Sequence, residues 1–184
     1  MRRKIIAAAA AAFREHGLAQ AGMREIAEAA ELSAANLYYY FESKDELVFF
    51  CQDDSLDRML AAAQEAVAAT DSPAEQLERV VEAQLRCMLV DLAGASAHLE
   101  VEALPPALRE KIVKKRDRYE RALREIIKRG IASGSFRHCD ATLVTRAILG
   151  AVNWTARWYR PGGPKSEQAI AKSFSDYLLR GLLP

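Results

Sequence analysis

Between Ser33 and Lys44 the chain reads SAANLYYYFESK, which crowds a carboxamide, three phenols, two hydroxyls and an ammonium into one short stretch. Wound as a helix with Leu37, Tyr40 and Phe41 turned inward, it leaves Ala34, Ala35, Asn36, Tyr38 and Tyr39 facing out. That outward set has the chemistry of a base-reading surface. Asn36 can match the donor and acceptor on an adenine edge, and Ala34 and Ala35 let a helix come close enough to touch a thymine methyl. Tyr38 and Tyr39 can donate to phosphate oxygens or pack on sugars. Lys44, at the start of the next helix, adds its charge to an amide-rich N-terminus. Arg24 lies upstream, near the start of the preceding helix, as a further phosphate contact, and Ser33 stands at the N-cap. A packing role competes for the tyrosines; it suits Tyr40 on the inner stripe, whereas Tyr38 and Tyr39 belong to the outer face.

Such side chains work only if short helices hold them at fixed angles. Ile26, Ala27 and Ala30 recur at three- and four-residue intervals and predict a helix from Met23, and Glu31-Leu32 leaves room only for a turn before Ser33. Two short helices joined so tightly form a helix-turn-helix, whose second member enters a DNA major groove. A first helix is predicted from Arg3 to His16, with Ile5, Ile6, Ala9, Ala12 and Phe13 inward and Gly17 just past its end. It is scaffold, with an arginine-rich start that can graze DNA. His16 near its C-terminus reads as a dipole partner. Ser43-Lys44-Asp45-Glu46 makes a capping box for a helix that can run to Ala69, roughly 40 Å at 1.5 Å per residue. That length reaches from one domain into another.

Here the residues resemble a known family. The recognition helix of TetR-family transcriptional repressors ends in Leu-Tyr-aromatic-aromatic-Phe, followed by Ser-Lys and an acidic pair. This chain has Leu37-Tyr38-Tyr39-Tyr40-Phe41, then Ser43-Lys44 and Asp45-Glu46. The match extends upstream through Ile5, Phe13 and Gly17 to Met23-Arg24-Glu25-Ile26-Ala27. Gly22 departs from the usual Ser or Thr cap, and Glu31 sits where the turn often has Gly. Glycine is an acceptable N-cap, and Glu31 at a positive φ is mildly strained. The resemblance implies a homodimer that binds double-stranded operator DNA.

The whole chain, 184 residues and 51% hydrophobic with few Gly and Pro, fits an all-α protein: a three-helix helix-turn-helix domain over residues 1–46, then a larger helical domain over 47–184, about nine helices in total. The second domain is expected to bind ligand and to dimerise. With no long apolar run, and with Met1-Arg2-Arg3-Lys4 leading straight into an amphipathic helix, the expected location is cytoplasmic, away from membranes. Cys51, Cys87 and Cys139 suggest reduced thiols. His138-Cys139-Asp140 cannot close a metal site alone, His16 and His98 are isolated, and no nucleophile elbow or phosphate-cradling glycine loop occurs, so neither enzyme, metal nor cofactor is indicated. Charge argues for caution about DNA. Residues 1–50 carry six basic and seven acidic side chains, and the chain totals +1. Binding must then rest on a few well-placed contacts, and a helical interaction module without DNA is the rival reading.

Further helices are expected over 73–92, 96–103, 105–132, 141–159 and 166–179. The fourth and fifth of these present apolar faces (Leu143, Ile148, Leu149, Val152; Ile170, Phe174, Tyr177, Leu178), and in the resembled family such a pair forms the homodimer interface. Between Arg109 and Arg129, ten basic side chains face four acidic ones. This is either a solvated, ion-paired face or a landing surface for an anionic ligand. The segment from Asn153 to Gly163, with Trp154 and Trp158 one turn apart and Arg157 beside Asn153, resembles the C-terminal region of TetR-like regulators that release DNA on binding an acyl-CoA. It implies a hydrophobic effector pocket with candidates Met59, Met88, Leu92, Leu99, Ile112, Asn153, Trp154, Arg157 and Trp158. An apolar effector of the efflux-control type is the alternative.

Overall fold

The computed structural model describes residues 1–89 and 101–184. Among them are eight α-helices, a single 3-10 turn and no strand. Leu92, Leu99, His98 and most of the helix expected over 96–103 lie outside the described residues; the end of that segment, Val101–Ala103, is the 3-10 turn. The described chain packs as two compact units, one holding Met1–Ser55 and residues 101–115, the other residues 56–89 and Arg116–Pro184.

In the first unit, α1 (Arg2–Gln20), α2 (Met23–Ala29) and α3 (Ala34–Tyr40) close on the start of α4 (Lys44–Ala69). Ile5, Ala9, Phe13, Ile26, Ala27, Ala30, Leu37, Phe41 and Leu47 are all buried, so the inward stripes meet in one small core. Helix α1 runs past its expected end. Gly17 does break the spiral, at φ 77° and ψ 156°, but the chain resumes helix to Gln20. The α2–α3 turn follows from capping. Leu32 N–H donates to Ala27 O at 2.8 Å, which requires Glu31 to take a left-handed φ of 56°. Gly22 N–H donates to Glu25 Oε2 (3.0 Å), Ser33 Oγ accepts from Asn36 N–H (3.2 Å), and Ser43 Oγ accepts from Glu46 N–H (3.1 Å). Glu46 reaches back one residue beyond the expected box, accepting from Glu42 N–H at 2.6 Å.

In the second unit α5 (Pro73–Leu89) is the central helix. Its inner face, Leu77, Val80, Val81, Gln84, Leu85, Met88 and Leu89, is buried as its 3.6-residue period predicts. It packs against α7 (Ala141–Trp158) and α8 (Glu167–Arg180). Helix α6 (Pro106–Ala132) buries Tyr119, Leu123, Ile126 and Ile127 in this unit. Asp140 caps α7, accepting from Thr142 and Leu143 N–H at 2.8 and 3.1 Å, and Ser166 caps α8. The chain end is pinned: Arg137 Nε donates to Gly181 O at 2.8 Å and Leu182 is buried.

Candidate nucleic-acid interface and effector region

Helix α3 divides by exposure. Leu37 and Phe41 are fully buried, while Ser33, Ala35, Asn36, Tyr38 and Tyr39 are exposed, Tyr39 to 85%. Ala34 and Lys44 are half-buried at the edge of this face, and Arg24 is exposed on α2. Tyr40 corrects the expected inner stripe. It is half-buried, with its ring 5.4 Å from and nearly perpendicular to that of Tyr39, because Leu37 and Phe41 already fill the space against the core. The basic side chains at the start of α1 stay exposed but have partners on the domain's own surface. Lys4 pairs with Glu31, whose carboxyl it holds below the usual range, and the Arg2 guanidinium lies 5.1 Å and 5.8 Å from the Phe50 and Phe41 ring centres. The resulting face is short and neutral, with protruding phenols, a carboxamide and small methyl groups.

Of the effector candidates in the second unit, Trp154 and Arg157 do not share the inner side with Met59 and Met88. Met59 and Met88 are buried in the second unit and Ile112 in the first. Trp154, 63% exposed, and Arg157 lie on the surface. The reason is rotation along α7, whose inner stripe is Thr145, Ile148, Val152 and Thr155. At 100° per residue Trp154 points about 160° away from Val152. The same rotation exposes Leu143, which sequence reasoning placed on one face with Ile148. Asn153 turns inward and accepts at Oδ1 from Gln84 Nε2 (2.9 Å), while Gln84 Oε1 accepts from the buried Tyr119 hydroxyl (3.0 Å). Burial pushes the Tyr119 pKa up, so it remains a neutral donor. Trp158 takes a different course from Trp154. It lies 6.0 Å from Phe174 between ring centres, and the two line a cleft of about 410 Å³ with Ile170, Arg160 and Lys165. Sequence reasoning did not bring Gln84, Tyr119, Arg160 or Lys165 to this region and put Phe174 on the dimer face; the loop Pro161–Pro164, which separates Arg160 from Lys165 in the sequence, was the available signal for the cleft.

Much of the basic run on α6 is spent within the molecule. Lys114 pairs with Glu110 (2.6 Å), Arg124 with Glu120 (3.3 Å) and Lys128 with Glu125 (2.9 Å), each within one helical turn. Arg109 reaches Glu102 at 2.7 Å, and Arg129 donates to Gln76 at 2.7 Å. Glu110 and Glu125 are held below the usual carboxylate range by their lysines.

A buried three-helix core carrying a capped, outward-facing second helix defines a helix-turn-helix DNA-binding regulator. Comparison with known proteins agrees. Residues 5–49 match the family model for bacterial regulatory proteins of the tetR family, and residues 70–182 match a tetracyclin repressor-like C-terminal domain. The chain belongs to the TetR family of transcriptional regulators. It is 30% identical over 184 residues to the HTH-type transcriptional repressor KstR2 of Mycobacterium tuberculosis, covering 98% of this chain and 92% of that one. The structure of that ketosteroid regulator aligns with a TM-score of 0.88 at 29% identity, over 100% of this chain and 95% of the other. PfmR of Thermus thermophilus aligns at 0.86 with 34% identity, over 96% and 97%. AibR, solved with isovaleryl coenzyme A and operator DNA, shares the fold at 0.80 and 22% identity, over 100% and 99%. Transcriptional regulators of this family are not enzymes. Among the described residues no helix is long and apolar enough to cross a membrane.

Proposed function

We propose that the protein is a cytoplasmic homodimeric repressor that binds a palindromic operator and leaves it when a hydrophobic effector of the acyl-CoA class binds. Residues 1–46 read DNA in this account, and 47–184 take the effector and pair the protomers. The exposed α3 face carries the reading: Ala35, Asn36, Tyr38 and Tyr39 project from a helix whose other side is fully buried. Lys44 and Arg24 flank it as phosphate contacts, with Ser33 and Ala34 at its start. One such helix spans too few base pairs for specificity, so two related by a two-fold axis are required. Leu143, Trp154 and Trp158 on α7 and Tyr177 on α8 are all more than two-fifths exposed, an apolar outer stripe that a second copy would cover.

The cleft beside Trp158 supports the effector class. An apolar floor of Trp158, Phe174 and Ile170 suits an acyl chain or a stacked ring, and Arg160 and Lys165 at its rim suit phosphates. AibR binds isovaleryl coenzyme A and operator DNA on the same fold. Effector and operator binding are then reciprocally coupled, the effector moving the long helix α4 that carries the reading head.

Gel retardation of duplexes selected from a random library tests DNA binding. Tyr39→Ala with Lys44→Ala is expected to abolish retardation while the dimer and its helix content persist; normal affinity would refute the contact set. Native mass spectrometry with a panel of acyl-CoA thioesters tests the effector. Uptake weakened by Arg160→Ala and Lys165→Ala supports the cleft, and no uptake would leave an apolar effector without a thioester.

A further inference from the structure

The turn between α2 and α3 keeps a side chain where a bare backbone would serve. Leu32 N–H reaches Ala27 O with Glu31 in the left-handed region, at φ 56°. Glycine makes such a turn without strain, so the Glu31 side chain contributes nothing to the turn itself. What it contributes is a carboxylate beside α1. Glu31 Oε2 accepts from Lys4 Nζ across 27 residues of sequence, and the pairing holds the Glu31 carboxyl below its usual range. Both ends of the pair have fixed footings: Ile5 follows Lys4, Ala30 precedes Glu31, and each is fully buried.

The place of this pair gives it a bearing on DNA. Glu31 stands two residues before Ser33, the N-cap of α3. That end of a recognition helix is the one whose residues reach base edges, so the phosphates bordering the groove flank it. Lys4, its side chain 48% exposed, is a suitable phosphate ligand there, and Glu31, 81% exposed, sets an opposing charge next to it. Residues 1–50 hold six basic and seven acidic side chains, so a single cation withheld or released shifts the balance of the whole domain. Sequence-independent affinity grows with each cation that replaces a counterion on a phosphate.

We propose that Lys4 is a latent phosphate-binding residue and that Glu31 competes with DNA for it, which limits the sequence-independent part of operator affinity. This rests on the DNA-reading role of α3 proposed above. An exposed ion pair is weak and is readily exchanged for another of the same kind. Carboxylate and phosphate therefore compete for one ammonium on nearly equal terms, and losing the carboxylate tips the balance toward DNA. By restraining its own grip on the backbone, the domain leaves a larger share of the affinity to Asn36, Tyr38 and Tyr39.

The test measures the affinity of the full chain for a duplex selected from random DNA and for a scrambled duplex, each over a range of salt. Glu31→Gln and Glu31→Gly are both expected to tighten binding to the two duplexes alike, by up to about fivefold per protomer, the reach of an exposed ion pair. The slope of log affinity against log salt is expected to steepen by about one per protomer, as one more phosphate contact requires. Lys4→Met is expected to change little in the wild type and to cancel both effects in the Glu31→Gln background. Unchanged affinity and slope in Glu31→Gln, or equal weakening by Lys4→Met in both backgrounds, would overturn the proposal. Tightening in Glu31→Gly alone would also overturn it, by assigning the effect to the backbone. A wild type that selects no duplex removes the reading of α3, and this proposal with it.

Discussion

At Gly130 a single methyl group decides whether α6 can close against the following loop. A Cβ there would fall 2.0 Å from Cδ2 of the buried Phe136 ring, and Phe136 N–H donates to Gly130 O at 2.9 Å, so the ring cannot simply swing away. Gly130→Ala is expected to cost about 1–3 kcal/mol by overpacking, read as a lower thermal midpoint of roughly 2–4 °C per kcal/mol. An unchanged midpoint would show that the ring relocates freely. Glu31 is the opposite case, a side chain held where glycine is easier. Its pair with Lys4 is exposed and offsets that strain only weakly. The buried Cys51 thiol, its pKa pushed up to about 12 chiefly by desolvation, is chemically quiet.

The helices owe their limits to caps more than to propensity. Among the described residues, five starts are closed by a Ser or Asp oxygen accepting an amide two or three residues on: Ser33, Ser43, Ser72, Asp140 and Ser166. Asp140 accepts two and has its charge at the positive end of the α7 dipole. Asp140→Ala is therefore expected to lower stability by about 1 kcal/mol, and Asp140→Asn by less, in denaturant titrations. Equal stability of Asp140→Ala and wild type would mean that tertiary packing alone holds the start of α7. Helix α6 is governed differently. Its like charges are interleaved with Glu110, Glu120 and Glu125 at helical spacing, which turns an apparent local excess into one-turn pairs.

At the scale of the molecule, the outer stripe of α7 and α8 leaves several large apolar side chains exposed. Trp154 at 63% and Tyr177 at 78% exposure gain nothing from the protomer's own core. If that stripe pairs the protomers as proposed, Trp154→Glu is expected to shift the protein from dimer to monomer in sedimentation equilibrium. A palindromic operator should then lose most of its affinity, since each half-site is held alone. A dimer that survives this change would move the protomer interface off α7. DNA binding itself is expected to be only moderately salt-dependent, because the N-terminal domain carries few cations and two of them, Arg2 and Lys4, are engaged internally.

Local rules carried most of the helix-turn-helix. Its caps, the buried Ile5, Ala9, Phe13, Ile26, Leu37, Phe41 and Leu47 and the exposed Asn36, Tyr38 and Tyr39 follow from period and cap chemistry acting over a few residues, whereas Ile6 and Tyr40, expected inward, are only half-buried and α1 continues past Gly17. The inner face of α5 was legible for the same reason. What the sequence could not decide was which of several apolar faces on α7 turns inward, because Leu143, Trp154, Ile148 and Val152 are all hydrophobic and only the packing partner distinguishes them. Tertiary structure chose Ile148 and Val152 against α5, put the tryptophans outside, and joined the buried Gln84 and Tyr119 to the half-buried Asn153 in one hydrogen-bonded chain from three helices. It also separated Lys111 and Lys115 of α6, which reach Phe49 and Asp53 on α4, from the lysines that pair within their own helix. Periodicity registers a face; only the approach of another helix gives that face a partner.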